Sequence, residues 1–246
     1  AKTLFPYTTL FRSDFHLRIF NYNTMEKIED VVGHADYIRS IDAHPNGTHL
    51  LSSGDDCAIS VWSIDAKGKL KKIKTFQEHQ GFVMQIRWSP KDPNVFASAS
   101  LDATVKLWNQ NASSSNLTLK DHEAGVNSVD FHRTSNLLIS GSDDHKIKVW
   151  DYQERKCLFT LNEHTELVTS VRFHPELPYI LSGSEDGQVI VWNTNNYKST
   201  QTLSFYMQKC WSIDINPKKP NIIALGYDEG TLVLKIGGDE PRASLK

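Results

Sequence analysis

The chain has 246 residues, of which 39% are apolar and 10% aromatic. That length can bury a sizeable core, in one large all-β domain or in two small ones. Its 27 basic and 29 acidic residues leave a formal net charge of −2. This balance argues against a nucleic-acid surface, which usually carries an excess of Lys and Arg.

The cysteines and the hydropathy exclude further classes of protein. Cys57, Cys157 and Cys210 are odd in number and form no CxxC pair, which argues against a zinc site or a disulfide framework. Free cysteines fit a reducing cytosol. No stretch reaches the roughly 18 apolar residues of a membrane span, and the first residues do not read as a signal peptide. We therefore expect no metal, no cofactor and no transmembrane segment.

The first segment, residues 1–13, is expected to be non-native. Residues 3–13 read TLFPYTTLFRS, which resembles one translation frame of a sequencing-library adapter. The native-looking sequence would then begin near Asp14. The alternative is a genuine first strand. At the other end, residues 237–246 are rich in Gly, Pro and charge, which is typical of a linker or a truncated tail.

Between these ends, four residue types recur with one period. The four tryptophans are 42 or 46 residues apart, and each has an Asp six residues, a Ser ten residues and a His 28 or 29 residues before it. The four sets are His34, Ser52, Asp56 and Trp62; His79, Ser98, Asp102 and Trp108; His122, Ser140, Asp144 and Trp150; and His164, Ser182, Asp186 and Trp192. A fixed period of this length predicts a repeat architecture.

Each period alternates apolar and polar residues in short runs separated by turn residues, which predicts four antiparallel strands per unit. Full units run about 24–65, 66–111, 112–153 and 154–195, and a weaker fifth runs over 196–236, with Trp211 in its first strand and expected in the core. Residues 14–23 supply the third strand of an earlier blade.

This pattern resembles the WD40 family, in which each repeat builds one propeller blade. The resemblance implies an all-β WD40 β-propeller over residues 14–236, with five complete four-stranded blades and a partial one. A seven-bladed ring would lack one or two blades at the front.

In that family, the four repeated residues form a hydrogen-bonded chain within a blade. The resemblance implies that Asp accepts from His, that His is linked to the Ser hydroxyl, and that Ser is linked to the indole N–H of Trp. A Ser, a His and an Asp together can also form a hydrolase triad. Four occurrences at one period favour the architectural interpretation.

Candidate binding residues lie beside the turns, on what would be the top face around the central channel. Just before each turn Asp the chain has Asp55, Leu101, Asp143 and Glu185, and Asp36 and Arg39 follow the first His. Several carboxylates on one rim would suit Lys or Arg side chains of a peptide. The alternative is a set of solvated turn acids, because Asp favours turns.

Stretches outside the repeated residues resemble a narrower family, the N-terminal propellers of coatomer beta-prime subunits in the COPI vesicle coat. They include FNYNTMEK, HADYIRSIDAHP, GFVM followed by SPKDPNVFASASLDATVKLW, WDYQERKCLFTL, FHPELPYILSGSEDG and VWNTNNYKSTQTL. The resemblance implies binding of C-terminal dilysine signals on cargo membrane proteins, with Asp36, Arg39, Asp55 and Asp143 on the peptide-binding surface.

The same resemblance implies the setting of that activity. It implies Golgi-to-ER and intra-Golgi vesicle transport, peripheral attachment to Golgi membranes on the cytoplasmic face, and alpha and epsilon coat subunits as partners. The family holds the peptide's terminal carboxylate with basic residues of its first blades. Those blades are expected to be missing, so weak dilysine binding or none is expected.

Two other classes of function compete with this interpretation. One is a generic WD40 interaction scaffold, such as a ubiquitin-ligase adaptor or a signalling platform. The other is a propeller enzyme, which we do not expect because the sequence has no HExxH motif and no phosphate-cradling glycine loop.

Overall fold

The structure, a computed structural model, describes residues 7–11, 14–21 and 23–236. Every regular element in that part of the chain is a β-strand. The first sheet contains β1 (Tyr7–Phe11), β2 (His16–Asn21) and β3 (Lys27–Val32), in that order. Strand β1 consists of five of the residues whose foreign origin we predict, and residues 1–6, 12 and 13 fall outside the described part. The predicted tail, 237–246, falls outside it too.

The remaining strands form five blades, each an antiparallel meander of consecutive strands. Blade 1 contains β4 (Ile38–Ala43), β5 (His49–Gly54), β6 (Ile59–Ile64) and β7 (Leu70–Phe76). Blade 2 contains β8 (Val83–Trp88), β9 (Val95–Ser100), β10 (Thr104–Asn109) and β11 (Ser115–Lys120). Blade 3 contains β12 (Val126–Phe131), β13 (Leu137–Ser142), β14 (Ile147–Asp151) and β15 (Lys156–Leu161). Blade 4 contains β16 (Val168–Phe173), β17 (Tyr179–Ser184), β18 (Gln188–Asn193) and β19 (Lys198–Ser204). Blade 5 contains β20 (Cys210–Ile215), β21 (Ile222–Tyr227) and β22 (Gly230–Lys235).

The all-β propeller predicted from the repeat is confirmed, with one correction to the strand count. The sequence units do contain four strands each, but the first strand of each unit completes the preceding sheet. The unit 24–65, for example, contributes β3 to the first sheet and β4 to β6 to blade 1. Blade 5 therefore has three strands in the described part of the chain instead of the predicted four.

The first strand of each blade lines the centre of the propeller. These inner strands, β4, β8, β12, β16 and β20, pack against one another in sequence order. Apolar side chains fill the space between blades: one cluster joins Leu51 and Val61 of blade 1 to Ile86, Phe96 and Trp108 of blade 2. Core side chains of this kind are fully or almost fully buried, as Trp108 shows with 1% exposure.

Side chains also connect neighbouring inner strands, which are not paired through their backbones. The Ser128 hydroxyl accepts a hydrogen bond from the Val171 amide at 3.0 Å, and the Ser170 hydroxyl accepts one from the Ile213 amide at 3.1 Å. The Asp42 carboxylate accepts from the Trp88 amide at 2.7 Å. These bonds satisfy amides that would otherwise be buried without a partner.

Each inner strand carries a bulge at its second residue. The register of pairing shifts there in all five blades, at Arg39, Met84, Asn127, Thr169 and Trp211. A bulge breaks the alternation of side chains and re-aims the extra residue. Because all five bulge residues occupy the second position of an inner strand, they lie at the same end of the channel. We call this end the rim.

In the described residues, no helix is long and apolar enough to cross a membrane.

Candidate functional site

The four predicted His–Ser–Asp–Trp sets each lie within one blade, in one geometry. In blade 3, His122 Nδ1 is 2.7 Å from the Asp144 carboxylate and His122 Nε2 is 2.7 Å from Ser140 Oγ. The Trp150 indole donates to the same Ser140 oxygen at 2.8 Å. The other three blades repeat these contacts at 2.7–2.9 Å. One donor direction satisfies every group: Trp donates to Ser, Ser to His and His to Asp.

The turn carboxylates are held in their ionised form. Burial alone would raise the pKa of Asp102, but hydrogen bonds donated by His79, Thr104 and the Gln80 amide outweigh it, so this pKa lies well below its usual range. The pKa values of Asp56, Asp144 and Asp186 are lowered against the same opposing effect of burial, with the hydrogen bond from His as the main lowering cause.

A hydrolytic role does not fit this geometry. The hydroxyls of Ser52, Ser98, Ser140 and Ser182 belong to side chains with 0% exposure, so no substrate carbonyl can reach them. Each of these oxygens also accepts the indole N–H of its own blade. Each set links the strands and the turn of one blade by buried hydrogen bonds, which is why the sets recur with the repeat.

The rim combines the five bulge residues with five residues at the β-turns beside them, and with residues just before the inner strands, among them Asp36, Tyr37, Phe82 and Lys209. The turn residues are Asp55, Leu101, Asp143, Glu185 and Asp228, and the amide of each donates to a carbonyl just before the inner strand of its own blade. The first four are the positions that the sequence indicated. Asp228 occupies the same place in blade 5. The sequence of this blade lacks the His and Trp of the other four sets, so it could not be aligned on them.

Arg39 and Asp55, two of the predicted binding residues, bind each other. Arg39 Nε and Nη2 each donate to one oxygen of Asp55, both at 2.6 Å. The Asp55 side chain is nearly buried, whereas that of Arg39 is 40% exposed. The geometry is bidentate, which is the strongest arrangement of this ion pair. Hydrogen bonding to Asp55 raises the pKa of Arg39 further.

The other two predicted residues, Asp36 and Asp143, are differently engaged. Asp143 Oδ1 accepts from the side-chain amide of the bulge residue Asn127 at 2.7 Å. Asp36 Oδ1 accepts from the Tyr37 amide at 2.8 Å. Among the described residues, no cation lies within salt-bridge distance of either carboxylate, and the second oxygen of each has no hydrogen-bond partner there.

Blade 5 adds rim residues that the sequence interpretation missed. Lys209 forms a salt bridge with Glu185 of blade 4 and lies 5.6 Å from the Trp211 ring centroid. The Trp211 indole donates to Asp228 at 2.7 Å. Trp211 was expected in the core, and this was wrong: its side chain is 47% exposed, because the bulge turns it out of the apolar face. The residue pattern carries no signal of the bulge, so the sequence could not have placed Trp211 at the rim.

Aromatic and aliphatic side chains lie beside the acids in blades 1 and 2. Tyr37, Phe82 and Leu101 are 45%, 42% and 38% exposed. Tyr37 packs edge-on against Phe15 and lies 5.9 Å from the Arg39 guanidinium carbon. The rim therefore offers carboxylates next to apolar surface. No cluster of three or more metal-ligating side chains occurs in the part of the chain that the structure describes.

Comparison with known proteins identifies related sequences. A 71-residue stretch is 48% identical to Coatomer subunit beta' of Homo sapiens; it covers 29% of this chain and 8% of that protein. A 59-residue stretch is 52% identical to Coatomer subunit beta' of Drosophila melanogaster, covering 24% of this chain and 6% of that protein. The corresponding figures for Probable coatomer subunit beta' of Caenorhabditis elegans are 48% identity over 71 residues, 29% and 7%. The matched stretch is thus under a tenth of the length of these relatives.

The family model for the WD domain, G-beta repeat, matches four successive segments, residues 25–63, 70–109, 113–151 and 155–193. Together they cover more than half of the chain, and each ends beside the tryptophan of one hydrogen-bonded set. The chain belongs to the WD40 family of G-beta repeat domains.

Proposed function

We propose that this chain is a cargo-binding propeller of a COPI coat, which binds C-terminal dilysine signals of membrane proteins and has no catalytic role. The observation that carries the proposal is the rim, where Asp36 and Asp143 present carboxylate oxygens with no cation within salt-bridge distance in the described part of the chain. The similarity to coatomer beta' subunits supports it over one stretch of the chain. Lysine ammonium groups are the natural partners of such carboxylates, through charge-assisted hydrogen bonds.

The rim geometry gives the four predicted residues two different roles. Asp36 and Asp143 would contact ligand lysines directly through their second oxygens. Asp55 is occupied by Arg39 on both oxygens, so an incoming ammonium group would have to displace that guanidinium. In this proposal Arg39 and Asp55 form an ion pair before the peptide binds. Their contribution to affinity depends on whether Arg39 moves away from Asp55 when a lysine arrives.

The wider setting is part of the same proposal. The sheet β1–β3 would be a partial sixth blade, and the complete ring would have seven. Alpha and epsilon coat subunits would be partners, and the protein would act on the cytoplasmic face of Golgi membranes and COPI vesicles, in Golgi-to-ER and intra-Golgi transport. Basic residues for the peptide's terminal carboxylate would come from further blades, so we expect weak affinity.

The test is a calorimetric titration of the chain with a peptide ending in Lys-Lys-X-X and with its Ser-Ser counterpart. We expect weak binding that requires the lysines. Equal affinity for both peptides would contradict the dilysine proposal and favour the second candidate, a generic WD40 scaffold, whose apolar rim residues Tyr37, Phe82 and Leu101 would then be the main contacts.

Single variants locate the contact. Asp36→Ala and Asp143→Ala should each weaken lysine-dependent binding by about 1–3 kcal/mol, since each removes one charge-assisted bond. Asp55→Ala should weaken it within the same range while also freeing Arg39. Glu154→Ala, an exposed acid on the turn before β15, is the matched control and should leave affinity unchanged. Unchanged affinity in both rim variants would reject these contacts.

A further inference from the structure

The side chain at the bulge of an inner strand controls what the turn acid of the same blade can still accept. In blades 1, 3 and 5 the bulge side chain donates a hydrogen bond to the carboxylate at the turn. The three pairs are Arg39 with Asp55, Asn127 with Asp143, and Trp211 with Asp228. One position of the blade thus carries three different donors, and their chemistry differs.

Blades 1 and 3 place their pairs on equivalent backbone. In both, the acid follows the donor by 16 residues, and its amide donates to the carbonyl two residues before the donor, at 2.9 Å from Asp55 and 2.8 Å from Asp143. Arg39 is positively charged and bonds both oxygens of Asp55, whereas Asn127 is neutral and bonds one oxygen of Asp143. The pair in blade 1 is therefore neutral, and the pair in blade 3 keeps one negative charge.

Asn127 is held from two sides. Its Nδ2 donates to Asp143 Oδ1 at 2.7 Å and to the carbonyl of Val168, the first residue of the next inner strand, at 3.2 Å. An amide nitrogen has two hydrogens to donate, so both are used. The side chain of Asn127 is therefore fixed between blades 3 and 4, and it fixes one oxygen of Asp143.

The second oxygen of Asp143 lies over Gly125. A Cβ added to Gly125 would be 2.8 Å from Asp143 Oδ2 and 2.7 Å from Leu101 Cδ2. A side chain at this position would displace the carboxylate or the leucine, and glycine avoids that clash. In the part of the chain that the structure describes, Oδ2 has no hydrogen-bond partner, and Asp143 is partly exposed. Oδ2 is therefore an oriented, charged acceptor that solvent and ligands can reach.

We propose that Asn127 is a specificity-determining residue of the rim, which positions Asp143 for a ligand lysine without neutralising it. This inference rests on the proposed lysine binding and names the side chain that makes one turn acid available. The lysine ammonium would donate to Oδ2 through a charge-assisted bond while the amide of Asn127 holds Oδ1. A preset acceptor loses less freedom when the ligand arrives, which favours binding.

Blade 4 shows which substitution separates the two bonds of Asn127. Its bulge residue, Thr169, donates to the carbonyl of Cys210, the first residue of the next inner strand, at 2.5 Å. Among the described residues, Thr169 makes no hydrogen bond to its own turn acid, Glu185, which instead forms a salt bridge with the next blade. Asn127→Thr should therefore keep the link between blades and release the turn acid of blade 3.

The test titrates the parent chain and its variants with the Lys-Lys-X-X and Ser-Ser peptides, followed by NMR, which measures weak affinities. Asn127→Arg keeps Asp143 but copies the closed pair of blade 1, so it should weaken binding of the lysine peptide at least tenfold, toward that of the Ser-Ser peptide. Asn127→Thr should weaken it severalfold at an unchanged Tm. Thr134→Arg adds the same charge on an exposed turn at the other end of blade 3, and this matched control should keep the parent affinity.

A double-mutant cycle gives a readout that a general structural defect would not give. If Asn127 acts through Asp143, Asn127→Thr should weaken lysine binding severalfold in the parent and have no effect in the Asp143→Asn background. A defect of the fold would weaken binding by the same factor in both backgrounds.

The outcomes separate this inference from the proposed function. A parent that prefers the lysine peptide, with an equal preference in Asn127→Arg, would overturn the role of Asn127 and leave lysine binding in place. An effect of Asn127→Thr that persists in Asp143→Asn would overturn it too. A parent without any preference for lysine would overturn both proposals. Should Asn127→Arg melt early, Asn127→Thr and its cycle decide.

Discussion

At the residue scale, the turn after each hydrogen-bonded Asp demands a left-handed backbone. The residue there has a φ of 61° at Cys57, 65° at Ala103, 67° at His145 and 80° at Gly187. A side chain in this region costs roughly 1–2 kcal/mol, and glycine avoids that cost. Of these four turns, only the one in blade 4 uses glycine, so the other three carry strain that glycine would remove.

Ala103→Gly should therefore stabilise the chain. The relieved strain exceeds the extra unfolded-state entropy of glycine, and we expect a gain of about 0.5–1 kcal/mol. Urea denaturation would measure the gain. The converse variant, Gly187→Ala, should cost more than 1 kcal/mol, since its new Cβ would also lie 2.7 Å from the Gln208 carbonyl oxygen. A loss of stability in Ala103→Gly would show that the left-handed strain is not the controlling energy.

At the element scale, the blade is stabilised by its buried hydrogen-bonded chain. Ser140 is the central residue of this hydrogen-bonded chain in blade 3, since its hydroxyl accepts from the Trp150 indole and donates to His122. Ser140→Ala leaves one buried donor and one buried acceptor unpaired, at about 1–3 kcal/mol each. The expected result is a large fall in the free energy of unfolding, measured by denaturant titration.

A double-mutant cycle checks that the loss arises from hydrogen bonding. Trp150→Phe removes the indole donor and keeps most of the ring, so the combined variant Ser140→Ala, Trp150→Phe should cost less than the sum of the two single losses. Strictly additive losses would mean that the two side chains act independently, against the geometry.

The elements also show what the sequence could and could not predict. The strands, the turns and the four sets repeat within one unit, so alignment on Trp62 and its counterparts was enough to place them. The bulges could not be read this way, because a bulge changes where a side chain points without changing the residue pattern. This is why Trp211 was placed in the core, and why the pairing of Arg39 with Asp55 went unpredicted.

At the scale of the whole molecule, the informative pattern has a period of two blades. Asp42, Arg87 and Asp130 occupy one position in successive inner strands, and their alternation is invisible when every unit is aligned to a single consensus. Contacts such as the Ser128–Val171 bond join one blade to the next, so they belong to the assembled propeller and not to any repeat. The channel is therefore where the structure adds most to the sequence.

This arrangement predicts a pH dependence. Burial raises the pKa of Asp130 to about 7, against the lowering effects of Arg87 and of the Phe173 amide, while its ordinary value is 3.8. Between about pH 4 and pH 7 the unfolded chain is ionised at this residue and the folded chain retains the proton. Folding then takes up a proton, so the contribution of Asp130 to stability falls as the pH rises, and it becomes constant above about pH 7.

Asp130→Asn isolates this effect, because it keeps an oxygen acceptor for the Phe173 amide and cannot ionise. The stability of the variant relative to the parent should rise from about pH 4.5 to about pH 7, by an amount on the order of a few kcal/mol, and stay level above that. Denaturant titrations from pH 4.5 to 8.5 would follow the difference, in which the contributions of other groups largely cancel. Asp214→Asn makes the same change at the same strand position of blade 5, where the carboxylate is exposed, and is the matched control. A flat difference for Asp130→Asn would mean that folding does not raise the pKa of this carboxyl, because the channel solvates it or Arg87 holds it ionised.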